Sequence, residues 1–530
     1  MTELFYNAKF FIGEAFAEAI LVEDGRFVFV GTLEEARKRH TGSHEVNLHK
    51  TLVLPGFNDS HMHLFGSAFV KEQLSLNDTK SVEDVLNRLK GRLLSLSFDA
   101  PFLSARGFNQ NNFSDKRMPT RQELDAVSAS LPIVVTRVCG HIAIANSAAL
   151  SLSGIDASSR VEGGTIDVET GLLTEKALGL LFTADLKPTK EDVKRLVKNG
   201  VQDAIAVGVT TLQTDDLMHA FPYDYEKMIE VYRELDEAGE LPIRLRLQSQ
   251  LPRIDLLKDY IAKGYPNKVY SDRLKMGPLK ILTDGTLGAR TAAMIEPYSD
   301  DPSEKGILTY TNEELYLLVK TAHHAGMSIA MHAIGDAAMT QILDAYERVL
   351  KEEPRDDHRH CIIHCQITSE AILDRMAKMD VYAAVQPIFI DADMEIVYDR
   401  VGKHRADTSY AWKSMVDKGI HVAFGTDAPV EDVNPIENIR AAVTRTNRAG
   451  HVYLPEQAVS VADAIKAYTT ASAKQTRDEH ELGKIEVGYH ADFTVWNRSQ
   501  FVHMKTDHLP KHALATYVGG TLVFARKDHA

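Results

Sequence analysis

The chain has 530 residues, with 60 Lys and Arg against 74 Asp and Glu for a formal net charge of −14, and it is 44% hydrophobic and 25% charged. That is globular composition, and at about 150 residues per domain it allows either several domains or one large barrel with additions. The acidic balance argues against nucleic acid or an anionic membrane as the main partner, because both require clustered Lys and Arg, and it leaves small-molecule chemistry. Three cysteines, Cys139, Cys361 and Cys365, are too few and too irregularly spaced for a disulfide framework or a thiolate zinc site. The opening MTELFYNAKFFIGEAF has no basic n-region, and no apolar run nears the ~20 residues of a membrane helix. The expectation is a cytoplasmic protein without a membrane anchor.

Residues 1–57 read as short strands, YNAKFF, AEAILVE and RFVFVG, with Asp24-Gly25 favouring a hairpin turn between the last two. The same pattern returns in LGKIEVG, ADFTVW and LATYVGGTLVFAR, so segments 1–57 and 478–530 are expected to pair into one composite β-sandwich. The middle, 58–477, alternates apolar runs with amphipathic stretches, as a parallel sheet with crossover helices does. Eight runs stand out: TLVLPGF (51–57), VTTLQT (209–214), RLRLQS (244–249), GPLKILT (277–283), SIAMHA (328–333), CIIHC (361–365), YAAVQP (382–387) and HVAFGTD (421–427). The fold class is therefore α/β, a TIM-like (β/α)8 barrel. Helices are expected in VKRLVKNGVQDAIAVG, NEELYLLVKTAHHAG, QILDAYERVLKE and AILDRMAKMD. The connection between runs one and two is far beyond normal loop length, which places an inserted subdomain over 70–180.

In such a barrel, function collects at the C-terminal ends of the strands. Run one ends in Asp59, Ser60, His61, Met62 and His63. In an extended segment the two histidines share a face and could hold one divalent cation, or form a hydrogen-bonded loop pair. Run four buries Lys280, where desolvation disfavours its charged form. A neutral amine there can take up carbon dioxide to give a carbamate able to bridge two metals; the alternative is an ion pair with Asp284 or another carboxylate. Runs five, six and eight end in His332, His364 and Asp427. Four histidines, a lysine and an aspartate at the strand ends of one barrel make a metal site of the catalytic zinc kind. His360 shares a strand face with His364 while Cys361 and Cys365 point the other way; His323 and His324 fall on a helix, His358 precedes its strand and His421 begins run eight at the wrong end, and these histidines read as structural or exposed.

At these residues the sequence resembles the amidohydrolase superfamily, in particular its Amidohydro_3 branch, which includes N-substituted formamide deformylase-like enzymes. The matching segments are LPGFNDSHMHLFG, ARGFNQNNF, CGHIAIANSAAL, GLLTEKAL, LKILTDGTLGARTAAM, MHAIGD, IIHC, FGTDAPV and LGKIEVGYHADFTVW. The resemblance implies that His61 and His63 bind one zinc, that His332 and His364 bind a second, and that carboxylated Lys280 bridges the two. It also implies Asp427 as ligand and proton shuttle, His364 beside it in the catalytic set, and Asp59 as support. Phe108-Asn109 stands where that branch is expected to have Trp-Asp, so no relative's substrate carries over.

The implied reaction is hydrolysis of a C–N bond in an amide-like or formamide-like small molecule by a metal-bridging hydroxide. Its rivals are a mononuclear deaminase, an esterase or phosphotriesterase-like hydrolase on the same scaffold, and a metal-bound module without turnover. A deaminase commonly has a carboxylic acid three residues after the strand-five histidine, where this chain has Gly335. Substrate selection is expected from Phe108, Gln110, His141 and Asn146 in the insertion, with Arg290 after run four and Gln386 on run seven. A homodimer is the expected assembly.

Overall fold

The computed structural model describes residues 2–527 apart from 14, 96–101, 139, 141, 162–163, 183–187, 222 and 499–509. The chain forms two compact units, one of Met1–Gly66 with Val197–Ala530 and one of Ser67–Leu196. In the first, eight parallel strands run in order around a barrel: Phe57–Met62, Val209–Thr214, Arg244–Gln250, Leu274–Leu282, Ile329–Ala333, Cys361–His364, Tyr382–Val385 and Val422–Phe424. Between the eighth and first strands the barrel is joined by Asp427 N–H to His61 O at 2.9 Å and His63 N–H to Ala428 O at 2.8 Å. The lower interior is apolar, with Ala330, Cys361, Ile363, Tyr382 and Ala384 packed together.

The first barrel strand lies further along the chain than the apolar run 51–57 suggests. That run belongs mostly to strand Glu45–Pro55 of the other sheet, and the barrel strand is the polar segment Phe57–Met62, all six residues of which are buried. Gly56 makes the break: a Cβ there would stand 2.2 Å from Thr210 Oγ1, so only glycine lets the chain pass between sheets so close to the second strand.

The other sheet of this unit has seven strands and unites both ends of the chain. Its order is Thr521–Ala525, Ala515–Val518, Phe493–Trp496, Glu45–Pro55, Glu3–Phe11, Phe16–Glu23 and Arg26–Gly31. Phe5, Phe493 and Tyr517 pack within its core, the last two rings stacked 4.5 Å apart. The four expected helices are present within Lys190–Ala206, Asn312–His324, Asp336–Glu352 and Glu370–Lys378. The third of these is buried along one face through Met339, Ile342, Leu343, Tyr346 and Val349, the 3–4 spacing of a helix packed on a sheet. The second unit is a six-stranded sheet built on Leu103–Phe108 and Ile133–Arg137, with helix Val82–Ser95 packed on it.

Ion pairs fasten barrel strand three to the returning C-terminal segment. Arg244 donates to Asp492 at 2.7 and 3.1 Å, and Arg246 donates to Asp478 at 2.6 and 3.2 Å. Lys275 reaches Asp478 at 2.6 Å. Removing one partner of such a buried network leaves the others charged and desolvated. Asp478→Ala should therefore cost about 3–5 kcal/mol, read as a lower thermal midpoint and a lower urea midpoint for barrel unfolding. A loss below about 1 kcal/mol, the value of an exposed pair, would show that the network is not structural.

Candidate metal centre

The site residues come from the ends of five barrel strands and line one cavity of about 270 Å3, walled on its outer side by Leu282, Leu287, Ile334, Phe389 and Val430. His61 and His63 turn their rings to the same side, with centroids 5.1 Å apart, and their Nε2 atoms lie 3.3 and 3.1 Å from Asp427 Oδ1. These three residues are the one group of His, Cys, Asp or Glu side chains among the described residues whose donor atoms converge closely enough to share an ion. Asp427 Oδ1 is buried and accepts no well-aligned hydrogen bond. A desolvated carboxylate oxygen faced by two imidazole nitrogens fits a divalent cation of the His and carboxylate type.

The hydrogen bonds behind the histidines decide which nitrogen each offers. His61 Nδ1 meets Gln248 Oε1 at 2.7 Å, His364 Nδ1 meets Gln386 Oε1 at 2.8 Å, and His63 Nδ1 meets Asp215 O at 3.2 Å. The two amides are oriented by their own nitrogens, which donate to Ser60 O at 3.1 Å and Ala384 O at 3.3 Å. Each of these Nδ1 atoms therefore carries a proton, and Nε2 is the nitrogen that each ring offers to a metal, His63 on releasing the proton that it shares with Asp427. His332 is reversed: its Nε2 faces Gly285 O at 3.1 Å and Asp284 Oδ1 at 3.2 Å, which leaves Nδ1 free. The His332 and His364 rings are 4.5 Å apart and those of His364 and His61 5.9 Å apart.

Two residues reach the cavity only through unusual backbone. In strand six the alternation puts His364 on the face of His360, whose ring stacks outward on Tyr346. A φ of 78° at His364 re-aims its ring into the site, and Asp427 likewise has a φ of 56°. Side-chain-bearing residues hold such angles only where neighbouring contacts impose them, and they concentrate at functional sites.

Lys280 is 1% exposed and donates to Asp215 Oδ2 at 2.8 Å. This is an ion pair with a carboxylate, and the partner is Asp215 at the end of strand two. Asp284 instead accepts the backbone N–H groups of Ala293, Ile334 and Gly335. A Cβ on Gly335 would lie 1.9 Å from Ala293 O, so no acidic side chain has room there.

The buried charges act on one another. Burial raises the Asp427 carboxyl, but the imidazoles of His63, His364 and His61 outweigh it and hold the group well below the usual carboxylate range. Burial would lower His63, yet Asp427 beside it lifts it to about 9. Burial, and next the Lys280 ammonium, lower His61 to about 3. Burial pushes Asp59 up to about 7. Both its oxygens are engaged by Thr426 N–H and Oγ1 and by His61 N–H, so it braces strand eight against strand one.

The described ones among the expected substrate residues each have partners within their own unit. Phe108 is wholly buried in the core of the inserted unit, Gln110 accepts from Arg137 at 2.8 Å, and His141 lies outside the described residues. Asn146 spends its amide on Ile133 N, Ala149 N, Ser128 O and Leu131 O, and Arg290 pairs with Asp300. Gln386 holds His364. His323, His358 and His360 form a buried cluster, with His323 Nδ1 and His360 Nε2 2.9 Å apart.

The sequence reading missed Asp215, Gln248 and His219, whose ring lies 5.0 Å from that of His63. Asp215 carries the signal that found Asp427, a carboxylate directly after an apolar strand.

Residues 44–524 match the amidohydrolase family Amidohydro_3. Bacillus subtilis YtcJ is 32% identical, with 96% of each chain covered. The N-substituted formamide deformylase of Arthrobacter pascens is 28% identical, over 96% of this chain and 95% of that one. An uncharacterised metal-dependent hydrolase from Pyrococcus furiosus superposes with a TM-score of 0.80 at 27% identity, covering 94% of this chain and 99% of that chain.

Because Gln248 and Gln386 set the tautomers of His61 and His364, Gln248→Leu and Gln386→Leu should each weaken metal binding about 10- to 100-fold, measured by chelator competition. Unchanged affinity in both variants would mean that the amides do not orient the ligands.

Proposed function

The chain belongs to the amidohydrolase family, and from that premise we propose that it is a metal-dependent hydrolase of C–N bonds in small amide-like or formamide-like molecules. The observation that carries this reading is the convergence of His61 Nε2 and His63 Nε2 on Asp427 Oδ1, with His332, His364 and Lys280 around the same cavity. The 28% identical relative named as a formamide deformylase supports the choice of bond. His61, His63 and Asp427 would hold one divalent cation, His332 through Nδ1 and His364 through Nε2 a second, and zinc suits that donor set. Such a cation supplies Lewis acidity and a water deprotonated near neutral pH.

This chain's own residues do the rest. Asp427, held as a carboxylate by the imidazoles around it, accepts a proton from the attacking water and returns it to the leaving nitrogen, base first and acid second. The carbonyl carbon gains oxygen, the C–N bond breaks, and an acid and an amine leave. His364, kept neutral by burial, stays available as a ligand. Leu287, Ile334 and Phe389, buried side chains lining the cavity, give the reacting bond an apolar flank, which strengthens charge interactions beside it.

Lys280 would join the centre by first giving up its ammonium proton, for which Asp215 at 2.8 Å is the acceptor at hand, and the neutral Nζ would then add carbon dioxide, forming an N–C bond and releasing a second proton to solvent. The anionic product then shares a desolvated site with Asp427, so it requires cations for compensation. The ion pair favours a second reading, a single cation at His61, His63 and Asp427 with Lys280 as a structural ammonium.

Metal content per chain of protein purified without chelator separates the two. About two equivalents, falling to one or none in Lys280→Ala and when carbon dioxide is excluded, with a carbamate carbon signal after incubation with 13C-bicarbonate, is the outcome for the binuclear site. One equivalent, unchanged by either treatment, is the outcome for the mononuclear one. Asp427→Asn should lower kcat on N-formyl amines about 10^2- to 10^4-fold; a variant that keeps wild-type kcat would remove Asp427 from the chemistry.

A further inference from the structure

Asp393, closing the short helix Ile390–Asp393 after strand seven, and Glu431, after strand eight, line the same cavity as the histidines. Asp393 accepts two hydrogen bonds, from Gln366 Nε2 at 2.7 Å and Tyr410 OH at 2.8 Å, and both go to Oδ2. Its second oxygen is left for the cavity that it lines. Gln366 is 3% exposed and lines the same cavity, and with its nitrogen committed to Asp393 its Oε1 has no hydrogen-bond partner.

No cation of the chain answers these acceptors from within the cavity. Among the described residues lining it, Lys280 is the one lysine or arginine, and it belongs to Asp215. Arg448, the cation that Glu431 feels most, is engaged by Asp391 at 3.3 Å, as is Arg440 at 2.8 Å. Burial pushes Asp393 up to about 6 and Glu431 up to about 7, the signature of carboxylates whose charge lacks compensation. The same cavity is also lined by the apolar side chains of Leu287, Phe389 and Val430.

We infer that the substrate carries a positively charged group, an alkylammonium or guanidinium, separated from the scissile amide by a short apolar spacer, and that Asp393, Glu431 and Gln366 Oε1 receive it. Three acceptors that no lysine or arginine lining the cavity answers match a group that has donors only. The spacer lies along the apolar wall while the amide reaches the histidines. The net charge of −14 favours the approach of such a cation. This inference rests on the hydrolase reading for the position of the amide, but not for the binding of the cation.

The test uses calorimetric titration of the metal-loaded full chain with n-pentylammonium and with 1-pentanol. The ammonium should bind at least about tenfold more tightly, as charge-assisted hydrogen bonds in a desolvated pocket would give. Glu431→Gln and Asp393→Asn should each bring the two affinities together, with circular dichroism confirming that both variants fold. Equal affinities in the wild type, or a preference that both substitutions leave intact, would overturn the inference.

Hydrolysis then distinguishes the two readings. N-formyl-1,5-diaminopentane should exceed N-formylpentylamine in kcat/KM, mainly through KM. Selective ammonium binding with no turnover of any N-acyl or N-formyl amine would sink the hydrolase reading and leave the cation pocket standing. Turnover of both amides without discrimination would do the reverse.

Discussion

The structure depends on the seam where the eighth barrel strand meets the first. Backbone bonds from Asp427 to His61 and from His63 to Ala428 join the strands there, so the residues that complete the barrel are also those whose side chains converge on the site. The approach is close enough that a Cβ on Gly425 would meet His61 N at 2.7 Å and Asp59 Oδ1 at 2.9 Å. Glycine is required for that contact, and Asp59 fills the space by bonding to Thr426 through both backbone and hydroxyl. The left-handed backbone at Asp427 is imposed at the same place. Site geometry and barrel closure are thus one set of constraints, and a loose seam would spoil both.

A second constraint is that ionised groups in a dry interior must be compensated. The molecule places them at opposite ends of the barrel strands. At the N-terminal end, Arg244 and Arg246 sit at the start of strand three and are matched completely by Asp492, Asp272 and Asp478. At the C-terminal end the match is incomplete: Asp215 has Lys280, but Asp427 has imidazoles alone and an oxygen with no well-aligned hydrogen bond. The complete network ties the terminal sheet to the barrel. The incomplete one has capacity left for a ligand that brings positive charge.

Much of this was legible in the sequence because strand ends carry a simple rule. His61, His63, His332, His364 and Asp427 follow or close an apolar run, Lys280 lies inside one, and all line one cavity. Where alternation governs, it predicts direction: Ala330 faces the barrel interior and His332 lies on the same side. It fails at His364, because a single left-handed residue reverses its face, and sequence periodicity carries no signal for that angle. It also misplaces the first barrel strand, since a barrel strand made of Asn, Asp, Ser and His has no apolar pattern to find. The donors and acceptors of Asn146 suit a substrate amide and a helix cap alike, and sequence alone does not separate the two. Gln248 and Gln386 show the converse difficulty. A glutamine inside a strand is equally consistent with a backbone contact and with holding a histidine, and only the partner 187 or 22 residues away in sequence separates the two.

The loops that shape the cavity follow strands whose own residues are fixed at the site. Leu287 and Gly288 come after the strand of Lys280, Phe389 and Asp393 after Gln386, and Val430 and Glu431 after Asp427. The strand residues are held from behind, by Gln248, Gln386, Asp59 and the seam, rather than by the loops. The wall and its acceptors are therefore free to differ among relatives while the histidines and Asp427 keep their geometry, which is how one barrel supports many substrates. On the proposed reading, the chemistry of the centre and the choice of substrate are carried by different residues on the same strand-to-loop connections.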